Sequence, residues 1–112
     1  MADPRVKQLK IKSGVVKRLT KEKGSYEKEV EAQAKLISKM KRDGKDSYDI
    51  RKQEEVLQES QMMIPDCLRR LKSAVDDLNK LLRDEKALQD KEEYQEAEAS
   101  VKAALKVMAE SK

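Results

Sequence analysis

The sequence predicts an all-α protein: an up-down-up three-helix bundle with two long helices, the second kinked at Pro65, and a shorter third helix. Three observations lead there. Ala, Glu, Lys, Leu and Arg supply 60 of the 112 residues, about the half-share typical of long helices when the periodicity agrees. Apolar residues recur at steps of three and four through most of the chain, the spacing of one helical face. Only two prolines and three glycines punctuate it. A mass of 12.9 kDa leaves room for one modest core, so residues 1–112 are expected to form a single helical-bundle domain. Charged residues are 43% of the chain, yet 26 basic and 22 acidic groups nearly cancel, so the composition does not force disorder.

The first helix is expected over about 4–42. Asp3 before Pro4 is a good start, because a carboxylate can accept from the orphan amides of the first turn and proline at the first helical position has no amide to lose. Leu9, Val16, Lys23, Val30 and Ile37 then fall at one core position, with Lys12, Leu19, Tyr26, Gln33 and Met40 at the other. Val6, Val15, Ala34 and Leu36 widen the stripe toward a face that touches two neighbours. Gly24-Ser25 is a soft spot within this helix, not a break.

Asp43-Gly44-Lys45-Asp46 is the compact turn signal, and Asp46 resembles a second N-cap. The second helix, about 47–85, has the cleanest pattern. Ile50, Leu57, Ile64, Leu71 and Leu78 recur every seven residues, with Leu68, Val75 and Leu82 at the partner position. In its first half the partner positions are Glu54 and Gln61, and apolar character moves to Val56, Met62 and Met63, which predicts a rotation of the oily face. Pro65 sits at the changeover, where a kinked but continuous helix is expected because the register crosses the proline unbroken. Asp90-Lys91-Glu92-Glu93 has the form of a capping box and opens a third helix, about 91–109. Its stripe is Tyr94, Ala97, Val101, Ala104, Leu105 and Met108. The third helix is too short to cover the other two, which leaves the end containing Tyr26, Ile50 and Met62 as a two-helix hairpin.

The chemistry is sparse. With no histidine and one cysteine, the commonest general base and metal ligand is missing and a structural zinc site cannot be assembled. There is no Gly-rich phosphate loop, and pairs such as Glu54-Glu55 read as solvated faces. The reading is a non-enzymatic binding protein without cofactor or metal. Cys67 beside Leu68 is expected to be packed and inert. Met62 and Met63 divide, on this reading, between an adaptable contact surface and core filling. Charge is uneven: residues 1–42 carry 13 basic and 5 acidic groups, so the first helix faces either acids elsewhere in the bundle or an acidic partner. The lack of an apolar leader or of a run near the ~20 residues of a membrane span, with a lone cysteine, points to the reducing cytosol.

The irregular segments carry a resemblance. Met1-Ala2-Asp3-Pro4-Arg5-Val6, Lys10-Ile11-Lys12, Gly14-Val15-Val16-Lys17-Arg18-Leu19, Tyr26-Glu27-Lys28-Glu29, Tyr48-Asp49-Ile50 and above all LQESQMMIPDCLRRL from Leu57 to Leu71 resemble the tubulin-binding cofactor A family over nearly the whole chain. The sequence departs from that pattern at Gly24-Ser25 and from Ser100 to Lys112. The resemblance implies a helical bundle that captures β-tubulin released from the cytosolic chaperonin on the way to αβ-heterodimer assembly, without nucleotide. Other tubulin-folding cofactors would be indirect partners, and the location cytoplasmic and cytoskeleton-associated. Candidate partner-binding residues are Lys17, Arg18 and Lys21 on the basic helix, Tyr26, Tyr48 and Ile50 toward the hairpin end, and Met62, Met63 and Pro65 around the proline.

Two other classes stand beside this one. Heptads alone also fit a structural coiled-coil protein that self-associates, and monomer and homodimer both remain open. A basic nucleic-acid binder fits the pI near 9.1, but the only aromatics are Tyr26, Tyr48 and Tyr94 and no reading motif is present.

Overall fold

A computed structural model of the chain describes residues 3–110. Met1, Ala2, Ser111 and Lys112 lie outside the described residues, the first two within a segment that carried the resemblance. Helix α1 spans Pro4–Arg42 and α2 Ser47–Asp84, a short 3-10 turn covers Lys86–Leu88, and α3 spans Glu92–Ala109. Long first and second helices and a shorter third are as expected.

Local chemistry accounts for most helix ends. The backbone amide of Arg5 donates to Asp3 Oδ1 at 2.9 Å and that of Tyr48 to Asp46 Oδ1 at 3.3 Å, so both predicted caps form. The Arg5 side chain also holds the Asp3 carboxyl below its ordinary pKa by hydrogen bonding. Helix α1 ends in a Schellman arrangement: the amide of Lys45 reaches Met40 O at 3.0 Å and that of Gly44 reaches Lys41 O at 3.2 Å. Gly44 has φ 68°, which an L side chain rarely tolerates. Gly24-Ser25 leaves α1 unbroken, and α2 runs through Pro65 without interruption. Pro65 and Gln61 are both exposed, so the Gln61 carbonyl that loses its amide partner can turn to water.

Two boundaries move. Helix α2 stops at Asp84, and the capping box at Asp90–Glu93 does not form. The 3-10 turn uses up the chain that would have carried the box: the Lys91 amide donates to Leu88 O at 2.8 Å. Lys91 itself is the extended cap residue, with no side-chain cap bond. Glu92 and Glu93 still favour this end by placing negative charge in the first turn.

The chain divides into two compact units. In the first, made of residues 3–21 and 68–110, three helical stretches enclose a core of Leu9, Val16, Leu19, Leu71, Val75, Leu78, Leu82, Tyr94, Ala97, Val101 and Ala104, with Leu88 of the 3-10 turn also buried. Leu105, expected in the α3 stripe, is 49% exposed; the inward place beside Val101 is held by Ser100. Ser100 Oγ donates to Glu96 O at 2.9 Å and lies 2.9 Å from buried Ser13 Oγ. Because each hydroxyl has one proton, Ser13 is the donor to Ser100. Tyr94 Oη donates to Leu82 O at 2.8 Å, satisfying a carbonyl in the last turn of α2 that has no helical partner.

The second unit, Glu22–Cys67, is a hairpin of the two long helices. Its inward residues are mostly half-buried. Ile37 and Cys67 are the buried apolar ones, and Lys23, at a core heptad position, is buried with its Nζ 2.7 Å from Glu27 Oε1. Gln33 Nε2 donates to Gln53 O at 3.0 Å and to Gln53 Oε1 at 2.6 Å. The partner column of α2 here is Gln53, Ser60 and Cys67, not Glu54 and Gln61. The inward face therefore does not rotate toward Val56, Met62 and Met63, because Gln53, bonded across the hairpin to Gln33, occupies it together with Ser60 and Cys67.

Two outcomes follow in denaturant unfolding. Ser100→Ala strands a buried Ser13 hydroxyl and should cost about 1–3 kcal/mol, whereas Ser13→Ala leaves Ser100 bonded to Glu96 and should cost less; the reverse order would refute the donor assignment. Lys23→Met removes a buried charge while keeping its stem and should leave stability equal or higher, whereas Glu27→Gln should lower it by about 1 kcal/mol, modest because Glu27 is half-exposed.

Candidate partner-binding surfaces

In the three-helix unit, α1 carries cations on both flanks of its buried stripe, and the two flanks are treated differently. Toward α2, Lys12 Nζ pairs with Asp77 and Arg5 Nη1 lies 3.6 Å from Glu85 Oε2. Acids within the bundle thus answer that flank. On the other flank, Lys7, Lys10, Lys17 and Lys21 are exposed and make no ion pair with any described residue. Lys17 and Lys21, with Thr20, form one wall of a groove of about 360 Å³ whose other wall is Glu96, Ala99, Ser100 and Ala103 of α3. The groove exists because Ala99, Ser100 and Ala103 are too small to fill the valley between two helices. Arg18 is exposed on the neighbouring strip of α1.

In the hairpin unit, the candidate residues separate by heptad position. Tyr26 and Ile50 are half-buried along the inward faces. Tyr48 is 58% exposed, with Lys52 Nζ 5.2 Å from its ring centroid, a cation-π contact that holds the ring on the surface. Met62 is 67% and Met63 43% exposed. Neither methionine fills the core, which corrects the expectation that one would: at positions beside the outermost strip of α2, both point away from the Leu57 and Ile64 column. Pro65 is exposed as well. Val56, 45% exposed, joins this surface seven residues before Met63, so Tyr48, Val56, Met62 and Met63 make an apolar outer flank on a hairpin helix. Cys67 is buried, as expected for a packed thiol.

Among the described residues no group of three His, Cys, Asp or Glu side chains could hold a metal, and no helix is long and apolar enough to cross a membrane. The arrangement offers two contact chemistries: a lysine-rimmed groove and an apolar helix flank. Thr20, Ala99 and Ala103 escaped the sequence reading, which took Val56 for part of the inward face. The signal for the groove was there in Lys7, Lys10, Gly14, Lys17 and Lys21, which follow one another at steps of three and four.

Comparison with known proteins decides the family. The family model described as tubulin binding cofactor A matches residues 4–101. The chain belongs to the tubulin binding cofactor A family. A relative from Homo sapiens, tubulin-specific chaperone A, is 60% identical over 97 residues, covering 87% of this chain and 90% of that one. The solved structure of human tubulin chaperone cofactor A superposes with a TM-score of 0.78 at 52% identity, over 91% of this chain and 99% of that chain. The crystal structure of tubulin folding cofactor A from Arabidopsis thaliana gives a TM-score of 0.83 at 44% identity, over 91% and 96%. The matched span includes the apolar flank of α2 and the groove residues up to Ser100, so both surfaces sit in the part of the chain that defines the tubulin binding cofactor A family, apart from Ala103.

Because Met62 and Met63 lie outside the core, Met62→Ser and Met63→Ser should each shift the unfolding free energy of the free chain by no more than about 0.5 kcal/mol. A thermal or urea titration checks this, and a loss of several times that size would place them in the core after all.

Proposed function

We propose that this chain is a tubulin-folding cofactor that captures β-tubulin released from the cytosolic chaperonin and holds it on the way to αβ-heterodimer assembly. The observation that carries this reading is the outer flank of α2: Tyr48, Val56, Met62 and Met63 are exposed in a chain whose relatives are named tubulin-specific chaperones. Methionine at an exposed position suits an incompletely folded partner, because its thioether chain repacks at low cost. Pro65 extends this flank, Tyr26 and Ile50 support it from the inward side, and Lys17, Arg18 and Lys21 steer an acidic partner toward the bundle.

The action is stoichiometric and non-enzymatic. With no nucleotide, metal or cofactor, the protein stabilises its client by mass action alone, to the extent set by affinity and concentration. Its place is the cytoplasm, associated with the cytoskeleton through its client, and other tubulin-folding cofactors receive that client from it.

The test is a native gel of the protein mixed with chaperonin-released β-tubulin or with α-tubulin. A new band with β-tubulin alone is expected, and Met62→Ser combined with Met63→Ser should weaken it by about tenfold or more, as for central contacts of an interface. A band of equal strength with α-tubulin, or none with either, would defeat the reading.

A further inference from the structure

The groove between α1 and α3 has features that the folding of the chain does not use. Lys17 and Lys21 line its α1 side, and exposed Lys7 and Lys10 continue the same row along α1 beyond it; none of the four is ion-paired with a described residue. The bundle answers the opposite flank of α1 through Asp77 and Glu85, so the unanswered charge belongs to one side. Gly14 lies in the same row. It has ordinary helical backbone, and a Cβ built on it would meet nothing within 4 Å. Neither conformation nor internal packing requires a glycine there, although glycine weakens a helix interior. A residue without a side chain in an exposed row of lysines lets another backbone come close to α1. Across the groove, Ala99 and Ala103 give a floor of small apolar side chains.

We propose that this groove docks an acidic helical segment of a partner protein. The inference rests on the reading that Lys17 and Lys21 meet an acidic partner, and deepens it by giving that segment a chemistry and a geometry. Lys7 to Lys21 span about 21 Å along the axis, four turns of helix. Carboxylates at steps of three and four on a facing helix match that row, while its small apolar residues rest on Ala99 and Ala103, close enough to use the space at Gly14. A nucleic-acid strand fits less well. Tyr94, the aromatic residue of this unit, is buried, so no ring is offered for stacking bases, and the small apolar Ala99 and Ala103 suit packed side chains.

The experiment titrates the full chain, observed through its backbone amide resonances, with a synthetic peptide of glutamate and alanine about four helical turns long. The controls are the same peptide with lysine for glutamate and a single-stranded RNA oligonucleotide. The acidic peptide is expected to shift the amides of Lys17, Thr20, Lys21, Ala99 and Ala103, and the controls to leave them in place. Combining Lys17→Glu with Lys21→Glu should weaken peptide binding by about tenfold or more. Ala103→Gln, which fills the floor without changing charge, should weaken it by a similar factor. Gly14→Ala should weaken it while raising the thermal midpoint of the free chain, a split that a purely structural glycine would not produce. Absence of localised shifts overturns the proposal. So does binding that responds to the lysine variants but not to Ala103→Gln, since that is surface attraction without a groove, and so does RNA binding that displaces the peptide. The titration contains no tubulin, so a groove silent toward the peptide defeats the docking proposal without deciding β-tubulin capture, which the native gel judges separately.

Discussion

The length of α3 is the constraint on which the rest of the structure depends. At 18 residues, against 39 in α1 and 38 in α2, it can lie along only part of the long helices. Where it lies, a full core closes: Leu9, Val16, Leu71 and Leu78 are completely or almost completely removed from water, each worth about 1.5–3 kcal/mol of burial. Where it does not, two helices alone cannot surround a side chain, and the inward residues of Glu22–Cys67 stay largely half-exposed. A polar contact then carries part of the pairing, in the Gln33 to Gln53 bonds, while the buried Lys23 is neutralised within α1 by Glu27.

The same constraint sets where contact chemistry is available. In the three-helix unit, α3 approaches α1 through serine and alanine, because the Ser13 to Ser100 contact and the small side chains at Ala99 and Ala103 leave the valley unfilled. In the hairpin unit, the polar column takes the inward face of α2, and the apolar residues Val56, Met62 and Met63 are left on its flanks. In both units the residues that hold the fold are therefore separate from the exposed residues proposed to bind.

Much of the architecture was legible in the residues. Asp3, Gly44 and Asp46 act on amides and carbonyls within a few positions of themselves, so the ends of α1 and the start of α2 could be read directly. The recurrence of Ile50, Leu57, Ile64, Leu71 and Leu78 selected the right inward column. What misled were residues whose role depends on a distant partner. Periodicity put Glu54 at the inward position that Gln53 takes by bonding to Gln33, and it left Ser100, which meets buried Ser13, out of the α3 stripe. The capping box at Asp90 lost to a 3-10 turn that buries Leu88, because burying that side chain outweighs a cap worth about 1 kcal/mol.

The sequence by itself determined the helices, their order, their lengths and the family, because turn chemistry and helical periodicity are local and the segment Leu57 to Leu71 is irregular enough to be distinctive. Only the tertiary structure decided which charges are spent inside the bundle and which face outward. Lys12 and Lys17 are alike in sequence, but one pairs with Asp77 and the other borders an open groove. The difference lies in which helix stands beside each, and that is set by packing between residues more than sixty positions apart.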